Sequence, residues 1–202
     1  MRITVDTKNP YRKWPHVEKF QNTTLRYTPS PSFPKVMEKV IGRPCIIRLF
    51  VNLDEVWDYR TDTYYWDYPI GVNRYIGDKN HYDYDWPLTV PSPVNAHIQE
   101  YLTSHAKCAD EVLLNLRRYE RETTDGIITY QQYEKLFEKV VEYYKDLCPN
   151  ITYIECCNEV ELPQFGSLNM KEYYKLYQCA YHSIQRLNQK HNYKKPLKIG
   201  GF

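Results

Sequence analysis

Long apolar runs are missing from this chain of 202 residues. None approaches the ~20 residues a membrane span requires, and Met1-Arg2-Ile3-Thr4-Val5-Asp6 lacks the apolar core of a signal peptide. Charge of one sign is also scarce. Lys and Arg number 27 against 25 Asp and Glu, a formal net charge of +2, which leaves no electrostatic case for nucleic acid. The densest basic stretch runs from Arg186 through Lys190, Lys194, Lys195 and Lys198. It falls at an expected helix end and the loop beyond, where cations favour the helix dipole and stay hydrated. No glycine-rich phosphate fingerprint follows any apolar run, which weakens nucleotide binding.

Metal-ligand patterns are absent as well. The six His are scattered without an HExxH motif, and the six Cys, at 45, 108, 148, 156, 157 and 179, form no CxxC or zinc spacing. No metal and no cofactor is expected. Buried, reduced thiols are the simplest account of the cysteines and favour a cytoplasmic setting. Cys156 and Cys157 are adjacent on an expected strand, so their side chains should point to opposite faces. Sequons at Asn22-Thr23-Thr24 and Asn150-Ile151-Thr152 read as chance occurrences.

What is present in excess is tyrosine, with 21 copies against 6 Phe and 4 Trp. Its ring stacks and its hydroxyl hydrogen-bonds, so it serves carbohydrate clefts, and it serves equally as a half-buried packing residue. The length allows one sizeable core, and the order of elements divides the chain in two. Residues 1–43 form an irregular, Pro-rich segment with a short helix from Phe33 to Ile41 closed by Gly42. Residues 44–202 alternate strand and helix. Pro44 to Val51 is an apolar strand broken by Arg48. Residues 52–91 read as one long aromatic-rich loop, too aromatic for disorder.

Ser92-Pro93 opens a helix carrying Val94, Ile98 and Leu102, and Asp110 to Leu116 is the next strand. Thr129 with Gln132 makes a capping box for a helix with Tyr133, Leu136, Val140 and Tyr144 on one side, ending at Cys148-Pro149. Ile151 to Cys157 is a buried strand. Asn169 with Glu172 caps a further helix with Tyr173, Leu176, Ala180, Ile184 and Leu187 inward, and Pro196 to Phe202 is a last strand. This alternation implies a parallel sheet with crossover helices, and a doubly wound sheet and a (β/α)8 barrel both fit it.

The most informative residues are Ile154-Glu155-Cys156-Cys157-Asn158-Glu159. They place an Asn-Glu pair at a strand end, the position from which catalytic side chains project in barrel enzymes. A carboxylic acid beside an amide that can hold a sugar hydroxyl suits proton transfer to a glycosidic oxygen. From here the chain resembles the first half of a clan A glycoside hydrolase, most closely family 39, the β-xylosidase and α-L-iduronidase-like group. The resemblance rests on Asn158-Glu159, Phe165-Gly166, the run Glu172-Tyr173-Tyr174-Lys175-Leu176-Tyr177, Lys198-Ile199-Gly200-Gly201, and Arg48. The family continues Asn-Glu with proline, whereas Val160-Glu161 follows here.

The resemblance implies a TIM-barrel type fold, apparently truncated after about the fifth strand, and a retaining mechanism with Glu159 as general acid/base. Asn158 would hold the 2-hydroxyl of a carbohydrate substrate. Arg48 would match an arginine that supports the nucleophile, which the family carries on a seventh strand. Without that anion Arg48 is expected to pair with Glu159 or face solvent. The alternative is a non-catalytic carbohydrate-binding or decayed barrel fragment. Open sheet edges would invite self-association. Trp57, Trp66 and Trp86 are either sugar platforms or loop anchors, the latter favoured. Asp54 and Glu55 either contact substrate or form a solvated strand end, again the latter favoured.

Overall fold

The computed structural model describes residues 20–22, 32–82 and 96–201. The elements in chain order are β1 (Phe20–Asn22), α1 (Phe33–Ile41), β2 (Ile46–Asn52), α2 (Leu53–Val56), β3 (Trp57–Asp58), β4 (Thr63–Tyr64), α3 (Ile98–Ala106), β5 (Glu111–Arg117), α4 (Glu120–Thr124), α5 (Tyr130–Leu147), β6 (Ile151–Cys156), α6 (Met170–His191) and β7 (Lys198–Gly200). The protein is α/β. Five strands form one sheet in the order β1-β2-β5-β6-β7, and every pair in it is parallel. Strand order follows chain order without the reversal that defines a doubly wound sheet. Parallel neighbours joined by right-handed crossovers in one unchanging direction place their helices on one face.

That face is the core. Ile47, Leu49 and Val51 of β2, Val112, Leu114 and Leu116 of β5, and Ile154 and Cys156 of β6 are all buried, at alternate positions as a pleat dictates. Tyr133, Leu136, Phe137, Val140, Val141 and Tyr144 of α5 and Leu176, Ala180, Ile184 and Leu187 of α6 join them. These are the inward stripes that the helical period predicts. Both capping boxes form: the Thr129 side chain accepts from the Gln132 backbone N–H, and that of Asn169 from Glu172 N–H, each reciprocated. Gly42, with φ 76°, closes α1 as expected.

The opposite face alternates with the core. Arg48, Phe50 and Asn52 of β2 lie in register with Leu113, Asn115 and Arg117 of β5, and the first two pairs with Tyr153 and Glu155 of β6. A register shift between Val112 and Leu113 makes Thr152 an extra residue in β6. A one-residue slip exchanges the faces of a strand, so this irregularity sets Glu155 level with Asn115 and Phe50.

Several expectations need correction. Residues 52–82 are not one irregular loop: α2 and the antiparallel β3–β4 hairpin lie within them. Their aromatics pack down. Trp57 is buried and its indole N–H donates to Asp62 at 2.8 Å, while Trp66 stacks on Tyr143 at 4.2 Å, the behaviour of anchors. Trp86 and the expected helix start at Ser92-Pro93 lie outside the described residues. The basic stretch is exposed, as a solvated face is, and on it Arg186 pairs with Glu134 and Glu138, Lys190 with Glu142, and Lys195 with Glu111. These tie α6 to α5 and the loop after it to β5. Cys45 is exposed, and only the other five cysteines are buried. The Asn150 amide is occupied, donating to Ala106 O at 2.9 Å and Ala109 O at 3.2 Å, so its sequon is a structural tie. No helix among the described residues is long and apolar enough to cross a membrane.

Candidate functional site

Parallel strands deliver their carboxyl ends to one edge of the sheet, and three consecutive strands deliver charge there. β2 ends in Asn52 and runs into Asp54 and Glu55. β5 ends in Arg117 and runs through Arg118 and Tyr119 to Glu120 and Glu122. β6 ends at Cys156 and runs through Cys157 to Asn158 and Glu159. The exits are strained. Arg118, Tyr119, Cys157 and Glu159 hold φ of 81°, 66°, 68° and 46°, a region that side-chain-bearing residues occupy at a cost of about 1–2 kcal/mol each. Such strain concentrates where side chains must be aimed rather than merely packed.

The first group of charges is linear. Arg48 Nε donates to Glu155 Oε2 at 2.5 Å, and its Nη2 donates to Asn158 Oδ1 at 3.0 Å. With that oxygen turned to the arginine, Asn158 Nδ2 points the other way and donates to Glu159 Oε2 at 3.3 Å. The Arg48 guanidinium also covers the Phe50 ring at 4.4 Å, with Arg117 at 4.8 Å from the same ring and donating to Asn52 Oδ1 at 2.8 Å. A stacked, bidentate guanidinium is a rigid fixture that lysine would not reproduce.

The expectation for Arg48 is therefore corrected. It neither faces solvent alone nor pairs with Glu159, because Glu155 on the same sheet face supplies its anion. Glu155 lies on β6 itself, whereas Glu159 lies beyond its end and reaches Arg48 only through Asn158. Glu159 is exposed.

The second group is enclosed. His81 Nδ1 lies 2.7 Å from Glu122 Oε1, and its Nε2 lies 3.6 Å from Asp54 Oδ2. Glu122 Oε1 also accepts from Tyr82 N–H at 2.9 Å, and the His81 ring stacks on Tyr75 at 4.3 Å. Burial raises the Asp54 carboxyl, against the pull of Arg118. Burial likewise pushes Glu120 up to about 7. Glu55 is buried, its Oε1 accepting from Gly71 N–H at 3.1 Å. The solvated strand end expected for Asp54 and Glu55 is thus corrected: residues 71–82 fold over it. Sequence reasoning missed His81, Glu120 and Glu122. Arg118-Tyr119-Glu120-Arg121-Glu122 has the look of a hydrated surface run, and its one signal was its place directly after a strand.

Two hollows lie nearby, the first against the second group itself. One, of about 280 Å³, is polar and lined by Lys79, His81, Arg121, Glu122 and Asp125 among others. The other, of about 620 Å³, is a mostly apolar groove between α6 and β7, lined by Met170, Tyr173, Tyr174, Tyr177 and Gly201. Gly201 lies close under Tyr173, since a Cβ there would stand 2.0 Å from the Tyr173 hydroxyl oxygen and displace it. Among the described residues no group of three or more His, Cys, Asp or Glu is arranged to hold a metal ion.

Fold and site define an α/β protein whose polar side chains gather at the carboxyl edge of consecutive parallel strands. Compared with family models, curated proteins and solved structures, the chain matches none.

Proposed function

We propose that this chain is a glycoside hydrolase of retaining type, or the N-terminal part of one, built as part of a (β/α)8 barrel, with Glu159 as its general acid/base and a carbohydrate as its substrate. The observation that carries the reading is the bonded series Glu155–Arg48–Asn158–Glu159 at the carboxyl ends of parallel strands. Strand order equal to chain order is the winding of a barrel, and the sheet supplies such a run of five.

In this reading Glu159 protonates the leaving glycosidic oxygen and later takes a proton from the attacking water. Asn158, fixed by Arg48, keeps its amide N–H₂ toward the acid and presents it to the sugar's 2-hydroxyl. Arg48 is a positioning residue: it orients Asn158 and neutralises Glu155, so one negative charge fewer faces the substrate. The retaining reaction needs a second carboxyl group about 5 Å from the acid, which the resemblance assigns to a strand outside this five-stranded sheet.

A second reading, a non-catalytic carbohydrate-binding or decayed barrel fragment, is favoured by one observation. Glu159 is exposed, whereas an acid working at neutral pH draws its proton affinity from burial or a neighbouring carboxylate. Aryl-glycoside hydrolysis by the chain and by Glu159→Gln separates the two. Turnover that falls in the variant supports the first reading, equal non-zero rates remove Glu159 from it, and glycan binding without turnover supports the second. Self-association through the outer strands β1 and β7 belongs to either reading, and a single monomeric species in sedimentation would refute it.

A further inference from the structure

Cys156 and Cys157 stand as neighbours whose sulfurs lie 3.3 Å apart. On an extended strand adjacent side chains diverge to opposite faces, the arrangement expected from sequence. Here the strand stops at Cys156, and Cys157 takes a left-handed φ of 68°, which swings the second sulfur back beside the first. The backbone holding this turn is fastened twice. Cys157 N–H donates to Leu116 O at 2.8 Å, and Asn115 Nδ2 donates to Cys157 O at 2.5 Å. Both residues are buried, and the Tyr133 hydroxyl lies 3.8 and 3.9 Å from the two sulfurs.

We infer that Cys156 and Cys157 form a reversible vicinal disulfide, an oxidation site set at the root of the Asn158–Glu159 turn, with hydrogen peroxide as the class of oxidant. The same left-handed turn that aims the strand exit also brings the two thiols together. The sulfurs need close only from 3.3 Å to roughly 2.0 Å. Burial, with Cys156 and Glu120 alongside, holds the Cys157 thiol well above its ordinary range.

The chemistry balances. One sulfur attacks a peroxide oxygen, the O–O bond breaks, and a sulfenic acid and one water result. The neighbouring sulfur attacks the sulfenyl sulfur, whose hydroxyl leaves with the second thiol proton as another water. Two S–H bonds and one O–O bond are lost, one S–S bond and two O–H bonds are gained, and peroxide accepts both electrons.

The test uses the full chain, treated with hydrogen peroxide, unfolded in iodoacetamide and cleaved after glutamate. Cleavage after Glu155 and Glu159 releases Cys156–Glu159 as one peptide. The expected result is that two of the six thiols escape alkylation, both in that peptide, which is lighter by two hydrogens and recovers both alkyl groups after dithiothreitol. A Cys45→Ser variant should behave identically, which excludes linkage through the exposed cysteine. Full alkylation of both residues after exposure that oxidises Cys45 overturns the inference. So does a sulfinic acid at either position without linkage, or a bond from either to another cysteine. The readout is thiol chemistry alone, so it stands or falls apart from the glycosidase reading.

Discussion

The two groups of charges at the carboxyl edge differ in how much water they keep. In one, Arg48 and Glu155 each retain about a quarter of their side-chain exposure, at 24%, and the last member, Glu159, is exposed. In the other, His81 retains 7% and Glu122 1%, with Glu120 equally enclosed. The open group can exchange a water or a neighbour for a ligand at little cost. The closed group is more enclosed, and a member that is ionised there is held against a desolvation penalty of several kcal/mol by the partners around it. Proximity to the strand ends is therefore not enough to mark a reacting residue. The proposed function falls on the open group, while the closed group holds residues 71–82 down beside it.

That contrast predicts opposite responses to mutation. Glu159→Gln should lower aryl-glycoside turnover by about 10²–10⁴-fold while leaving the unfolding midpoint in urea within about 0.5 kcal/mol of the parent. Loss of stability with unchanged turnover would reverse the two roles. Glu122→Ala should do the contrary, destabilising by about 3–5 kcal/mol because His81 and Tyr82 N–H lose a buried partner. Protease cleavage within residues 71–82 would locate the damage. Arg48→Met should fall between, at about 1–3 kcal/mol by chemical denaturation, since Glu155 keeps some water when its partner is removed.

The smallest effect is one of pH. The Glu120 carboxyl is raised to about 7, so the folded chain binds its proton more tightly than the unfolded chain does. Its contribution to stability is complete below the ordinary carboxylate range and is lost as pH rises through 7. Relative to the parent, Glu120→Gln should therefore gain on the order of 1–2 kcal/mol between pH 5 and pH 8. Parallel stability curves across that interval would place Glu120 in water.

Elements whose signals are local were legible in the sequence. The capping residues Thr129 and Asn169 mark their helices through hydrogen bonds made within four residues, and the apolar runs of β2, β5 and β6 announce burial on the strand itself. Asn158 and Glu159 were legible for the same reason, as residues at a strand end. The partner of Arg48 was not. Choosing Glu155 over Glu159 depends on which face of β6 Glu155 occupies, and the extra residue Thr152 helps fix that. Pattern reading cannot see a bulge set by pairing between strands. Nor could it see that Cys157 leaves the strand in a left-handed turn, since that conformation is fastened by Leu116 and Asn115 from the neighbouring strand. His81 and Glu122 escaped because they meet only when residues 71–82 fold over the strand end, and Glu120 because its burial is not marked in its charged run.

Because, among the described residues, each strand of the main sheet hydrogen-bonds to the sheet's preceding and following strands, the protein is laid down like courses of brick. Phe20 meets Ile46, Val112 meets Ile151, and Tyr153 meets Lys198, each seam joining strands consecutive in the sheet. A chain emerging from the ribosome can set each course on the one before it. Loss of the last course strips one seam and leaves the earlier ones bonded as they were.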